Sequence, residues 1–180
     1  MSNDLDKVLY SGTLGIEYGQ FYVDIDDDDF EDYLEPEAAF EHQNNGICGA
    51  AQTGKLFLVA GTQDGVIEIE VKLHSSEPTV DDTYEEIVEV SIEIGKKQLM
   101  LCEWGNETTH NLNINPGTYN VRYSIIGMEK EYNDDSDWES PIPGQRYYLQ
   151  FWPGQKQKDV IKKCTSETAK YWHKEWGNLE

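Results

Sequence analysis

The stretch VDIDDDDFEDYLEPE, residues 23–37, concentrates carboxylates that could bind a cation or a basic protein surface. Asp and Glu side chains at positions 1, 3, 5 and 12 are ligands in the calcium loop of an EF-hand. The run fits these four positions, but Asp29 stands where the sharp turn needs Gly, and Glu31 stands at a position that is usually apolar. The alternative function is therefore a calcium-binding β-sandwich module that interacts with another protein or a surface, with the ligands Asp24, Asp26, Asp28 and Glu35.

Two further interpretations of the acidic run stay open. A cation could be held at one end of a sandwich between this run and a second acidic group formed by Asp134, Asp135 and Asp137. The run could also be a solvated loop without a ligand, since blocks of like charge are commonly exposed and repel one another.

The net charge of −21 and the pI near 4.3 exceed what solubility requires, because a small domain usually carries a net charge of about 2 to 8 in magnitude. The 12% aromatic content predicts a folded chain, since disordered chains are poor in aromatic residues. A strong acidic field repels nucleic acid and anionic membranes and attracts basic proteins. The charge therefore argues against direct nucleic-acid binding and favours a basic protein partner, and we expect no membrane insertion.

The charge is unevenly distributed along the chain. Residues 155–180 contain six lysines and four acidic residues, so residues 1–154 carry a net charge of −23. The chain could thus be an accessory subunit of a larger bacterial assembly that is contacted through its lysine-bearing C-terminal segment.

The cysteine pattern indicates a reducing compartment. Cys48, Cys102 and Cys164 are far apart and odd in number, which is typical of buried thiols rather than a disulfide framework. The N-terminus lacks the pattern of a secretory signal, and no apolar run reaches the length of a membrane span. We expect a cytoplasmic protein.

Motifs for catalysis are missing from the sequence. The histidines, His42, His74, His110 and His173, are scattered, and no metalloprotease, nucleophile-elbow or phosphate-loop pattern occurs. We expect no enzymatic activity and no cofactor, apart from the calcium alternative.

The apolar pattern of residues 13–128 has a period of two, which predicts strands. It is clearest in GVIEIEVKLH, residues 65–74, while residues 14–24 suggest one strand. Two hairpins are expected, with turns at residues 95–97 and 115–117. We predict one mainly β domain over residues 1–180, an antiparallel β-sandwich with an acidic loop after its first strand. Residues 1–12 could be disordered, and residues 155–180 form an extension with an α-helix over residues 159–176 whose apolar face docks on the sheets.

Three segments resemble the competence protein J family, small bacterial inhibitors of a competence nuclease. They are YGQFYV (residues 18–23), LHSSEPTVDDTYEEIVEV (residues 73–90) and LNINPGTYNVRYSI (residues 112–125). The resemblance covers residues 16–128 and implies a non-catalytic protein that binds and restrains a nuclease. The acidic run and residues 129–180 have no counterpart in it.

Charge and resemblance together predict an inhibitor or immunity-type protein for a basic nuclease or toxin. Its carboxylates would mimic the phosphates of DNA, and an exposed Trp among acids would act as a contact anchor. The stoichiometry and the oligomeric state are not predicted. The expected partner-binding residues are Asp24, Asp26, Asp27, Asp28, Asp29, Glu31 and Asp32 in the acidic run, with Asp134, Asp135, Asp137 and Trp138 as a second patch.

Overall fold

The computed structural model describes residues 6–25 and 34–178. In it, two β-sheets pack face to face through the apolar side chains that alternate along their strands. Side chains from both sheets fill the space between them and are almost completely buried. This arrangement confirms the predicted mainly β sandwich with a C-terminal helix. The central core residues include Phe21, Val23, Leu56, Leu58, Ile67, Ile69, Val71, Val121, Tyr123 and Leu149.

The first sheet has six strands in the order β1-β5-β10-β9-β6-β11. All neighbours are antiparallel except β5 and β10, which run parallel, so this sheet is mixed. In chain order its strands are β1 (Lys7–Ile16), β5 (Gly65–Leu73), β6 (Glu86–Ile94), β9 (Gly117–Ile126), β10 (Arg146–Pro153) and β11 (Val160–Lys163).

The second sheet has five antiparallel strands in the order β3-β4-β2-β7-β8. Two short helices accompany the sheets: α1 (Pro36–Ala39) and a 3₁₀ turn (Trp104–Asn106). The strands are β2 (Gln20–Ile25), β3 (Cys48–Gly49), β4 (Leu56–Val59), β7 (Leu99–Cys102) and β8 (Thr109–Asn111).

The prediction of one strand over residues 14–24 is wrong, because the chain turns between the sheets at Tyr18 and Gly19. Both residues adopt positive φ angles, 56° and 68°, which a continuous strand excludes. The acidic run therefore leaves the second strand rather than the first. Residues 7–12, for which disorder was considered, belong to β1 and pair with β5.

Both predicted hairpins are also wrong. β6 and β7 flank residues 95–97 but lie in different sheets, and the same holds for β8 and β9 on either side of residues 115–117. β6 instead pairs with β9, and β7 pairs with β2. Each turn carries the chain across the core from one sheet to the other.

The C-terminal segment contains a strand before its helix. β11 pairs with the edge of the first sheet through β6, and the helix α2 spans only Glu167–Glu175. The predicted helical start at residue 159 is wrong because the β-branched Val160 and Ile161 extend the sheet. Ser166 begins the helix as its N-cap, with its hydroxyl oxygen accepting a hydrogen bond from the amide of Ala169.

Helix α2 docks on the core through aromatic side chains, as predicted. Trp176, just after the helix, stacks on Phe40 at a ring distance of 5.4 Å and meets Phe57 of β4 edge-on at 5.3 Å. A buried carboxylate, Glu86, accepts hydrogen bonds from the amides of Thr165 and Ser166 and fixes the segment before the helix. Within the described residues, no helix is long and apolar enough to cross a membrane.

Acidification should loosen the docking of α2 through His173. Its side chain is fully buried, and Nδ1 accepts a hydrogen bond from the amide of Gly46 at 2.9 Å. Burial lowers the pKa of His173 from 6.5 to about 4, against a smaller opposing effect of Asp159. The unfolded chain therefore takes up the proton first, and stability that is present above pH 6.5 is lost as the pH falls toward 4.

We predict that the free energy of unfolding decreases by up to about 2 kcal/mol between pH 6.5 and 5 through this residue. Urea titrations of the wild type and of His173→Asn, which keeps an acceptor but does not titrate, measure the difference. A variant that loses stability as steeply as the wild type would contradict this role for His173.

Candidate partner-binding surface

Four loops meet at the end of the sandwich where β2 begins and β9 ends. They comprise residues 17–19, 60–64, 103–108 and 127–145, and we call this surface the acidic end. Two clefts of about 320 Å³ each open on it, and Asp64 lines both. The antiparallel strands bring these loops together although they are distant in the sequence.

The exposed Tyr18 and the half-buried Trp104 form an aromatic pair at the first cleft. Tyr18 is 66% exposed, and its ring lies 5.0 Å from the ring of Trp104 at a tilt of 50°. The turn that presents Tyr18 is fixed by a hydrogen bond of 2.8 Å from the Gly19 amide to the carbonyl of Gln63. Backbone contacts thus hold an apolar side chain in solvent, where it can contact another molecule.

Carboxylates line the first cleft. The acidic side chains at its wall are Glu17, Asp64, Glu103 and Glu107, beside the indole of Trp104. Glu103 is fixed by the amide of Gly15, which donates to its Oε1 at 2.7 Å. The cleft thus combines a negative wall with one flat aromatic surface.

The second cleft lies under Trp138, the Trp expected to act as a contact anchor. Trp138 is 57% exposed and stacks on Tyr132 at 4.6 Å with an angle of 23° between the rings. The hydroxyl of Tyr132 donates to the carbonyl of Ser140 at 2.7 Å and accepts from the amide of Val66 at 3.1 Å. These bonds tie the loop that carries Trp138 to the start of β5.

The second acidic patch lies in the same loop. Asp134, Asp135 and Asp137 are all exposed beside Trp138. The carboxylate of Asp137 accepts hydrogen bonds from the Ser140 hydroxyl at 2.7 Å and from the Glu139 amide at 3.0 Å. These bonds, chiefly the one from Ser140, hold the pKa of Asp137 below its ordinary value, so its charge and position are both fixed.

Asp24 lies away from the acidic end. It is near the other end of β2, 14% exposed, and forms an ion pair of 3.6 Å with Lys55. The six residues of β2 span about 17 Å at the rise of an extended strand. The structure therefore separates Asp24 from the patch formed by Asp134, Asp135, Asp137 and Trp138.

The other predicted residues of the acidic run, Asp26 to Asp29, Glu31 and Asp32, lie outside the described residues. The same applies to two ligands of the calcium alternative, Asp26 and Asp28, while Glu35 precedes α1. Within residues 6–25 and 34–178, no three His, Cys, Asp or Glu side chains are grouped so that they could hold a metal ion.

Sequence reasoning missed most of the acidic end. The lining residues of the first cleft come from three separate loops, and no local motif connects them. The sole local signal is the break in alternation at Tyr18 and Gly19, which marks a turn.

Two solved structures share this arrangement of strands. ComJ from Bacillus subtilis, described as an inhibitor of the DNA-degrading activity of NucA, matches with a TM-score of 0.55 and 19% identity over 83% of this chain and 99% of that chain. The fold is that of the ComJ-like family.

A second protein with the same ComJ-like fold is described as crocagin biosynthetic gene J. It matches with a TM-score of 0.52 and 16% identity, over 83% of this chain and 99% of that chain. No family model matches the sequence, and no curated protein matches it. The likeness lies in the fold.

Gly65→Ala should disturb the loop that carries Trp138. Gly65 has a φ of 141°, and a Cβ atom there would lie 2.5 Å from Cε2 of Tyr132. We predict a loss of about 1 to 3 kcal/mol in the free energy of unfolding and a change in the indole NMR signal of Trp138. In Gly95→Ala, the added Cβ meets nothing within 4 Å, so its stability should change by less than about 0.5 kcal/mol. Equal effects of the two substitutions would contradict this packing.

Proposed function

We propose that this chain is a non-catalytic protein that binds and restrains a basic nuclease or toxin. The observation that carries the proposal is the fold shared with ComJ across 83% of the chain, since ComJ is described as a nuclease inhibitor. The same fold also occurs in a protein named for biosynthesis, and a fold by itself does not determine function. The charge of −21 is the second support, because it selects basic partners.

The charge would act first on the rate of association. A nuclease offers a basic surface that normally meets phosphates, and a field of opposite sign speeds diffusional encounter. Salt screens this attraction, with a Debye length of about 10 Å at 0.1 M. Inhibition should therefore depend strongly on ionic strength.

Exposed carboxylates would then occupy positions that phosphates take on the nuclease. In our proposal the patch of Asp134, Asp135 and Asp137 supplies such groups, and Trp138 packs against the partner beside them. Trp138 is already stacked on Tyr132, so less side-chain freedom is lost on binding. Exposed tryptophans at the centre of an interface commonly dominate its affinity.

The acidic run would make a second, separate contact. Asp24 lies near the opposite end of β2 from the patch around Trp138, and the other residues of the run, Asp26, Asp27, Asp28, Asp29, Glu31 and Asp32, follow β2 in the sequence. Asp24 is already paired with Lys55. We therefore propose that the acidic run acts mainly by attracting the basic partner electrostatically from a distance. A large partner, rather than a single ion, could engage both ends.

The proposal is tested by capture of the partner from a native host extract. The immobilised chain should retain a DNA-degrading activity that is released at high salt and suppressed again when the chain is added back at low salt. A bound fraction without such activity would contradict the proposal.

The acidic patch should control the affinity for the captured nuclease. We predict that Trp138→Ala weakens binding by about 30-fold or more, the effect of a hot-spot residue worth about 2 kcal/mol. The triple variant D134N/D135N/D137N should slow association and flatten its salt dependence. The matched control E41Q/E93Q/E175Q changes three exposed carboxylates outside both the acidic run and the acidic end. If both triple variants act alike, the patch has no specific role.

A further inference from the structure

The first cleft of the acidic end carries negative charge that no basic side chain among residues 6–25 and 34–178 pairs with. Glu17, Asp64, Glu103 and Glu107 line it, and its lining residues include no Lys or Arg. In the described part of the chain, none of the four carboxylates forms an ion pair with a basic side chain. A cation from outside would relieve their mutual repulsion.

Backbone contacts hold this cleft in shape. The carboxylate of Glu103 occupies space beside Gly15, where an added Cβ atom would lie 3.1 Å from its Oε1. Asp64 accepts a hydrogen bond of 3.4 Å from the amide of Tyr18. Two of the four acids are thus positioned before any ligand arrives, and a preformed site reduces the entropy lost on binding.

The size of the cleft favours a large organic cation over a metal ion as its ligand. The volume is about 320 Å³, which is typical of a site for an organic group. Its carboxylates are spread around this space, and no metal-holding group is present among the described residues. The cleft therefore suits a cation that reaches several separated carboxylates at once.

Trp104 provides a flat wall for such a cation. Its indole lines the cleft while Tyr18 packs against it at 5.0 Å. A guanidinium is planar, stacks on aromatic rings and donates hydrogen bonds to carboxylates as a fork. An ammonium is compact and more strongly hydrated, and it matches this wall less well.

We propose that the first cleft receives an arginine side chain of the basic partner protein. The guanidinium stacks on Trp104 and donates to the surrounding carboxylates, with Asp64 linking this contact to the cleft below Trp138. This inference rests on the proposed function for the identity of the partner as a basic protein. It adds a specificity determinant that lies apart from the patch of Asp134, Asp135 and Asp137.

The probe for this site is the blocked peptide acetyl-Arg-Arg-Arg-amide, titrated in about 0.1 M salt and followed by NMR. The indole N–H signal of Trp104, assigned with Trp104→Phe, should shift on binding. The corresponding tri-lysine peptide should bind more weakly, and the uncharged tri-citrulline peptide should not bind. Equal binding of the arginine and lysine peptides, or an unchanged chemical shift of the Trp104 indole N–H, would overturn the proposal.

Charge-matched variants distinguish binding at the cleft from attraction by the overall negative charge of the protein. E17Q/D64N/E107Q should raise the dissociation constant of the arginine peptide about 10-fold or more, and E41Q/E93Q/E175Q less than about 3-fold. If the triple variant folds poorly, the single substitution Glu107→Lys serves as a second test. Glu107 is exposed, so its replacement should leave the fold intact. Glu107→Lys should abolish the Trp104 shift, whereas Glu41→Lys should preserve it. Equal losses in the cleft and control variants would overturn the site.

The outcomes also separate this inference from the proposed function. If the nuclease is restrained but the arginine peptide does not bind at Trp104, the arginine cleft alone is wrong. If the peptide binds there but the chain restrains no nuclease, the proposed function is wrong while the cleft remains a site for arginine.

Discussion

Repulsion among 35 acidic side chains is the constraint that shapes this molecule. Where a carboxylate serves the fold, a donor or cation compensates its charge. Glu86 is buried but accepts amide hydrogen bonds from the segment before α2, and Glu89 pairs with the nearly fully buried Arg122 at 2.8 Å. Such contacts are costly to break, because removing one partner leaves a buried group uncompensated. The Glu86 contacts hold the segment before α2 against β6, and the Glu89–Arg122 pair joins β6 to β9 within the first sheet.

Carboxylates at the acidic end differ in that none of them forms an ion pair with a basic side chain within the described part of the chain. Most remain in contact with solvent, and several are fixed by backbone amides rather than by cations, as with Glu103 and Asp137. Repulsion between fixed like charges lowers the stability of the free protein and is relieved by a basic surface. The fold thus stores unfavourable electrostatic energy where Tyr18, Trp104 and Trp138 are available for contact.

The strand content was predictable because burial of one face imposes a period of two, as in β5. The pairing of the strands was not predictable from the sequence. A turn such as residues 115–117 can have the same sequence whether its flanking strands pair with each other or enter different sheets. Trp138 was identifiable as an aromatic residue among acids. The first cleft was not, because its residues meet only through sheet pairing between distant strands. The helical prediction for residues 159–176 failed at its start, where pairing with β6 overrode the apparent periodicity.

Direct competition with DNA tests most simply whether the chain occupies a phosphate-binding surface. A fluorescent DNA duplex is bound to the captured nuclease under conditions that prevent cleavage, and its anisotropy is followed as the chain is added. We expect the DNA to be displaced completely and the apparent affinity of the chain to decrease in proportion to the DNA concentration. A stable ternary complex of nuclease, DNA and chain would contradict the account.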